Sequence, residues 1–119
     1  MKAEFHTRLI VRQISEREWQ LLADLVYFSA KLQRQFRVPK FFVTDFASVP
    51  RIPVAYLMAG GKATKEAVLH DWLYASKICS RAEADSVFEE AMAINGQSWL
   101  TRKTMWLAVR LFGWSAYND

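Results

Sequence analysis

A histidine and an aspartate stand side by side in the apolar stretch Leu69-His70-Asp71-Trp72-Leu73-Tyr74. Burying either without a partner is costly, so each requires a task or a contact. The only other histidine is His6, so imidazole chemistry falls first to His70. On a helix, residues three and four apart are neighbours, which sets Ala67, His70, Asp71 and Tyr74 along one side. His70 and Asp71 still diverge by about 100°, so they serve separate contacts. In the next helical segment Arg81, Asp85, Phe88 and Met92 share a face by the same arithmetic. Folded back through a turn at residues 76–80, the two segments bring His70 and Asp85 nearly level. A carboxylate on one ring nitrogen fixes the tautomer and raises the basicity of the other, which can then take a proton from water or a substrate hydroxyl. Asp71, aimed elsewhere, suits a hard cation such as calcium or magnesium where loop carbonyls or another carboxylate join it. Asp45, in Thr44-Asp45-Phe46-Ala47-Ser48, is the obvious second carboxylate, because a strand there passes into a Pro-bounded loop.

The same residues also fit a structural account. A histidine bonded to an aspartate and a tyrosine is a common way to satisfy buried polar groups, and Asp45 can cap the turn at Ala47-Ser48. Arg81 and Arg51 read as surface ion-pairing residues. Ser48 ranks below His70 as a reactive group because no Gly-x-Ser-x-Gly elbow surrounds it. Cys79 has no flanking base and reads as inert. His6 lies in an N-terminal strand with no evident partner.

The elements that must position these groups are legible to different degrees. The chain has 119 residues, 52% of them apolar, which is one domain's worth of chain and core, residues 1–119. The single Cys79 excludes an intramolecular disulfide and argues against a zinc finger, which suits a reducing compartment. No apolar run approaches the roughly 20 residues that cross a bilayer, and the start MKAEFHTRLI lacks a signal peptide's apolar block, so no transmembrane or processed segment is expected. The formal charge is +4, and residues 1–62 carry ten Lys/Arg against five Asp/Glu. There Arg34, Arg37, Lys40 and Arg51 interleave with Phe36, Phe41 and Phe42. A single-strand nucleic-acid groove uses this pattern, but so does a strand with one wet face, and the modest charge favours the latter.

Helices are expected over residues 63–76, from the Ser80-Arg81-Ala82-Glu83 capping box to Asn95-Gly96, and over 98–112 up to Gly113. The last of these carries Trp99, Met105, Trp106, Val109, Leu111 and Phe112 on its apolar side. Trp106 and Phe112 are assigned to the core, while Trp114 and Tyr117 suit either core or interface. Strands are expected over 5–11, 33–38 and 41–46, with Pro39 forcing Val38 into an extended conformation. Residues 15–30 are ambiguous: Ser15 to Glu18 form another capping-box pattern ahead of helically spaced Trp19, Leu22, Ala23, Val26 and Ala30, yet Leu25-Val-Tyr-Phe-Ser29 is strand material. Pro50 and Pro53 mark an ordered loop leading into 54–59.

Four blocks in register, VPKFFVTDFASVPR, AVLHDWLY, RAEADSVFEEAM and AVRLFGW, resemble a family of tailed phages and prophages, domain-of-unknown-function family thirteen-fifty-three. The resemblance implies a late-gene product of particle assembly or lysis, made in the host cytoplasm and carried on the virion where it is a particle component. It also implies strands over residues 18–46, which outweighs the helical count there. Locally, HDWLY followed by RAEADSVF is similar to the helix pair of secreted phospholipases A2. That similarity makes His70 the general base, Asp71 a calcium ligand, Tyr74 a hydrogen-bond donor behind them, and Asp85 the partner of His70. The chain departs from those enzymes in lacking disulfides, in its shorter hairpin and in having no Gly-rich calcium loop, for which Gly60-Gly61 or the Asp45 loop would substitute.

The expectation is therefore an α+β fold, with a small N-terminal antiparallel β-sheet packed against a C-terminal layer of about three helices. The expected function is phage morphogenesis or tail assembly with a hydrolase-like His/Asp site. Two alternatives stand beside it: a metal-dependent hydrolase of an envelope ester or amide, and a nonenzymatic structural or nucleic-acid-binding protein. The corresponding partners are phage structural or assembly proteins and a cell-envelope substrate.

Overall fold

A computed structural model of the chain describes residues 1–46, 48 and 64–118. Six strands come first: β1 (Glu4–Phe5), β2 (Val11–Gln13), β3 (Trp19–Leu21), β4 (Leu25–Ser29), β5 (Arg34–Val38) and β6 (Val43–Thr44). Four helices follow among the described residues: α1 (Lys65–Ser76), α2 (Arg81–Ile94), α3 (Trp99–Phe112) and α4 (Trp114–Asn118). The architecture is α+β, and the strands form two small antiparallel sheets, in the orders β1-β4-β5 and β2-β3-β6.

The hairpin β4-β5 is built on alternation. Leu25 faces Val38 and Tyr27 faces Phe36 across the pair, all four buried, while Arg34, Gln35 and Arg37 of β5 point to water. Arg34, Phe36 and Arg37 thus share a strand with one wet face, while Lys40, Phe41 and Phe42 follow it. Arg37 is bonded to Asp24 at 2.9 Å, and the guanidinium of Arg34 lies over the Phe36 ring. Residues 5–11 do not make one strand: Glu4–Phe5 pairs with β4, and Val11–Gln13 with β3 in the other sheet.

The Ser15–Glu18 capping pattern opens a strand rather than a helix. Ser15 Oγ donates to the Glu18 carboxylate at 3.0 Å instead of accepting a backbone N–H, and Ile14 N–H bonds Glu18 O, which closes a β2-β3 turn. Trp19–Leu21 is then claimed by β2 on one side and β6 on the other. Tertiary pairing overrides a local helical spacing that has no N-terminal amides to cap.

The helices follow their sequence signals closely. Lys77, at φ 55°, ends α1 in the left-handed region with its N–H on Leu73 O. At the start of α2, Ser80 and Glu83 complete a reciprocal capping box, and Ser98 caps α3. The sheets meet the helices through Tyr27, whose hydroxyl donates to Glu90 of α2 at 2.6 Å; the other Glu90 oxygen accepts Lys31 N–H. One core joins the two layers, with Leu21, Tyr27 and Phe36 from the strands meeting Leu69, Phe88 and Met92 from the helices. Burying each such side chain contributes about 1.5–3 kcal/mol.

Only Met105 and Val109 of α3 are buried. Phe112, assigned to the core from its spacing, is 66% exposed, and Trp99, Leu100, Leu107 and Leu111 are also exposed. The helix offers one face to α2, and its apolar stripe is wider than that face. Trp106 is half-buried. Trp114 is exposed, while Tyr117 packs on the core and donates to Cys79 O. Among the described residues no helix is long and apolar enough to cross a membrane. Arg51, the proline loop with the stretch 54–59, and Gly60-Gly61 lie outside the described residues.

Candidate functional site

The α1-α2 hairpin creates the centre of the site. Because α1 stops at Ser76 and the capping box restarts the chain at Arg81, His70 and Asp85 face each other, both 0% exposed. His70 Nε2 lies 2.7 Å from Asp85 Oδ1. The same oxygen accepts the Tyr74 hydroxyl at 2.6 Å, and Oδ2 accepts an Arg110 N–H at 2.8 Å. Burial alone would push the Asp85 carboxyl up. Hydrogen bonds from His70, Tyr74 and Arg110, with attraction to His70 when it is protonated, instead hold it below the usual carboxylate value. The Tyr74 hydroxyl is pushed well above its ordinary range by burial and by Asp85. It therefore stays a donor. The His70 ring is flanked by Tyr74 and Phe88, with centroids 4.2 and 4.6 Å away.

The other ring nitrogen is also engaged. Ser48 Oγ lies 3.0 Å from His70 Nδ1, and Ser48 is 2% exposed. In the neutral tautomer that donates to Asp85 from Nε2, Nδ1 presents its lone pair to the serine hydroxyl. Ser48, His70 and Asp85 thus form a continuous hydroxyl–imidazole–carboxylate chain.

Asp71 meets this chain at its serine end and holds Ser48 beside Thr44. Its Oδ2 accepts the Thr44 hydroxyl at 2.8 Å and its Oδ1 accepts Ser48 N–H at 3.3 Å. Thr44 Oγ1 in turn accepts Phe46 N–H at 3.2 Å. Phe46 sits at φ 61°, a conformation uncommon outside glycine, and is buried with its ring against Trp19. Burial raises the Asp71 pKa and the charge of Asp45 adds to this, while the bonds from Thr44 and Ser48 oppose it.

The family model described as "Protein of unknown function (DUF1353)" matches residues 19–109. The chain belongs to this family. No curated protein and no solved structure matches it. In this family member the matched span contains Thr44, Ser48, His70, Asp71, Tyr74 and Asp85, and stops one residue short of Arg110.

Several expectations change with the geometry. Arg81 is not a surface ion-pairing residue. At 22% side-chain exposure it donates to Val109 O and Arg110 O at the end of α3, and its guanidinium lies 3.6 Å from Asp85. His6 does have contacts, with Glu4 and Gln35, each at 3.5 Å. Cys79 is buried, and burial together with the charge of Glu83 pushes its thiol up to about 11, which leaves it unreactive. Asp45 is exposed. The partners shown for Asp71 are both donors, and no group of three His, Cys, Asp or Glu suited to a metal occurs among the described residues. Calcium needs six to eight oxygens. Among the described residues Asp71 is thus engaged by the protein donors Thr44 and Ser48.

Spacing along the sequence did not foresee the contact of Ser48 with His70, that of Arg110 with Asp85, or the closeness of Gly113 to Tyr74. Arg110 is far along the chain from Asp85, and nothing in its local spacing marks it. Gly113 ends α3 with its N–H on Val109 O, and a Cβ there would lie 2.6 Å from the Tyr74 hydroxyl and 2.5 Å from Val109 O. The signal for Ser48 was the Thr44–Ser48 segment itself, a polar turn entering a proline-bounded loop.

Proposed function

We propose that this protein is a phage morphogenesis or tail-associated component carrying a hydrolase centre, with His70 as general base, for an ester or amide of the cell envelope. One observation carries the chemistry: one His70 nitrogen lies on the ionised Asp85 and the other on a hydroxyl, at 2.7 and 3.0 Å. Both distances are within the range in which a base removes a proton directly. Asp85 stabilises the imidazolium that forms, while Tyr74 and Arg110 hold the carboxylate in place. Such a base contributes about 10²–10⁴ in rate. The order of His70, Tyr74 and Asp85 on two helices is also what the likeness to phospholipase A2 implies, and that likeness supports an acyl bond as the target. The phage setting is supported by the four sequence blocks, since family membership alone names no reaction.

The burial of Ser48, His70 and Asp85 favours one competing reading, a static polar core in a nonenzymatic assembly protein. Turnover of phospholipid vesicles, peptidoglycan fragments and small acyl esters separates the two. Hydrolysis of one class by the wild type, lost in a folded His70→Gln variant, is expected. Turnover unchanged in that variant refutes the base assignment, and no turnover of any class supports the static core.

A further inference from the structure

From the Ser48–His70–Asp85 chain we infer that Ser48 is the nucleophile, so that hydrolysis passes through an acyl group carried on its Oγ. This rests on the general-base reading above and goes beyond it, because a base alone is equally served by water. Three features carry it.

The first is occupancy. Ser48 Oγ holds the place on Nδ1, at 3.0 Å, where an attacking water would otherwise be activated. The ring is used in the reverse sense to the serine-protease template, with the carboxylate on Nε2 and the hydroxyl on Nδ1. Either nitrogen serves, provided that the other is held by the carboxylate.

The second is the way the serine is held. Asp71 receives both the Ser48 N–H and the Thr44 hydroxyl, so one half-buried carboxylate holds both residues. The Ser48 side chain also bonds Asp71, so Oγ is held between that carboxylate and His70 Nδ1. Asp71 acts as a positioning residue, and this gives it a use that a metal would otherwise supply.

The third is strain. Phe46 is held at φ 61° two residues before Ser48. Bulky residues hold such backbone only where the surroundings over-determine it, and such strain clusters at functional sites. A merely satisfied core serine needs no such turn.

The chemistry balances without a metal or a redox partner. Oγ–H gives its proton to Nδ1 as Oγ bonds the carbonyl carbon, and the carbonyl π pair moves onto its oxygen. Collapse expels the alcohol or amine, which takes the proton from Nδ1 and leaves acyl-Ser48. Water then gives a proton to Nδ1 and attacks the acyl carbon. Oγ leaves with that proton, and the carboxylic acid is released.

The test uses the full chain and a small fluorophosphonate, which forms a P–O bond to an activated serine and loses fluoride. Intact mass and peptide mapping should show one adduct per chain on Ser48, with none in Ser48→Ala or His70→Gln. Turnover should fall by at least about 10³-fold in Ser48→Ala, the scale on which single triad members matter. A Ser48→Cys variant guards against misfolding: its new thiol should be alkylated by iodoacetamide at pH 6 at least 10-fold faster than in Ser48→Cys/His70→Gln, as pairing with His70 requires. Retained turnover in a folded Ser48→Ala, together with loss in His70→Gln, would overturn the nucleophile and leave the base reading standing with water as attacker. Absence of turnover, adduct and rate difference would sink both.

Discussion

Replacing Asp85 with asparagine tests the site without requiring a substrate. Asp85 is fully buried and accepts from Tyr74, His70 and Arg110 at 2.6, 2.7 and 2.8 Å. Asparagine offers one carbonyl oxygen and presents N–H groups where the second carboxylate oxygen accepted, so at least one of the three donors loses its partner and the Arg110 charge loses its counterion. Removing one member of a buried charged contact costs about 3–5 kcal/mol. A domain of this length has only about 6–18 kcal/mol of stability in total, at 0.05–0.15 kcal/mol per residue. The thermal midpoint should therefore fall by roughly 10–20 °C, at about 3–5 °C per kcal/mol for this size. Circular dichroism melts at a series of pH values measure it. Because the fold lowers the Asp85 pKa, its contribution is fully present above the unfolded value of about 3.9 and is lost as pH falls through the lower folded value. The gap between wild type and Asp85→Asn should narrow as the pH falls below about 4. A gap under about 1 kcal/mol at pH 7, or one that fails to narrow below about pH 4, would refute the assigned network.

Two further outcomes follow from the geometry. Cys79, with its thiol pushed up to about 11, should resist iodoacetamide at pH 8 in the native protein and react at once in urea; native labelling at the rate of a free cysteine would contradict its burial. With donors on both Asp71 oxygens, millimolar calcium, magnesium or zinc should leave the melting midpoint where EDTA leaves it. A rise with one cation that vanishes in Asp71→Asn would restore the metal reading.

What could be read from the sequence was what is local. The His70–Asp85 pairing follows from helical spacing and a short turn, both written within residues 65–85, and Ser80 and Glu83 mark the helix start directly. The sheets were harder because strand pairing depends on distant partners: residues 5–11 divide between two sheets, and Trp19–Leu21 pairs with segments on both sides of it in sequence. Phe112 was misassigned because periodicity identifies an apolar stripe without saying how much of it a neighbour covers. The place of Ser48 beside His70 was hidden for a similar reason. Its contact with His70 spans 22 residues of chain and is set by a clamp, Asp71 on Thr44 and Ser48, that no local motif spells out.

Gly113 gives the site a boundary that the family match does not draw. The matched span ends at residue 109, yet Arg110 supplies a counterion to Asp85, and the missing side chain at 113 is what lets the Tyr74 hydroxyl stay where Asp85 needs it. A fragment trimmed to the match would lose the arginine and open one wall beside the tyrosine. An added methyl at 113 would press on that tyrosine from outside. The smallest piece of this chain able to report on the site must therefore run past the glycine, and the turn that closes α3 belongs to the same working unit as the histidine.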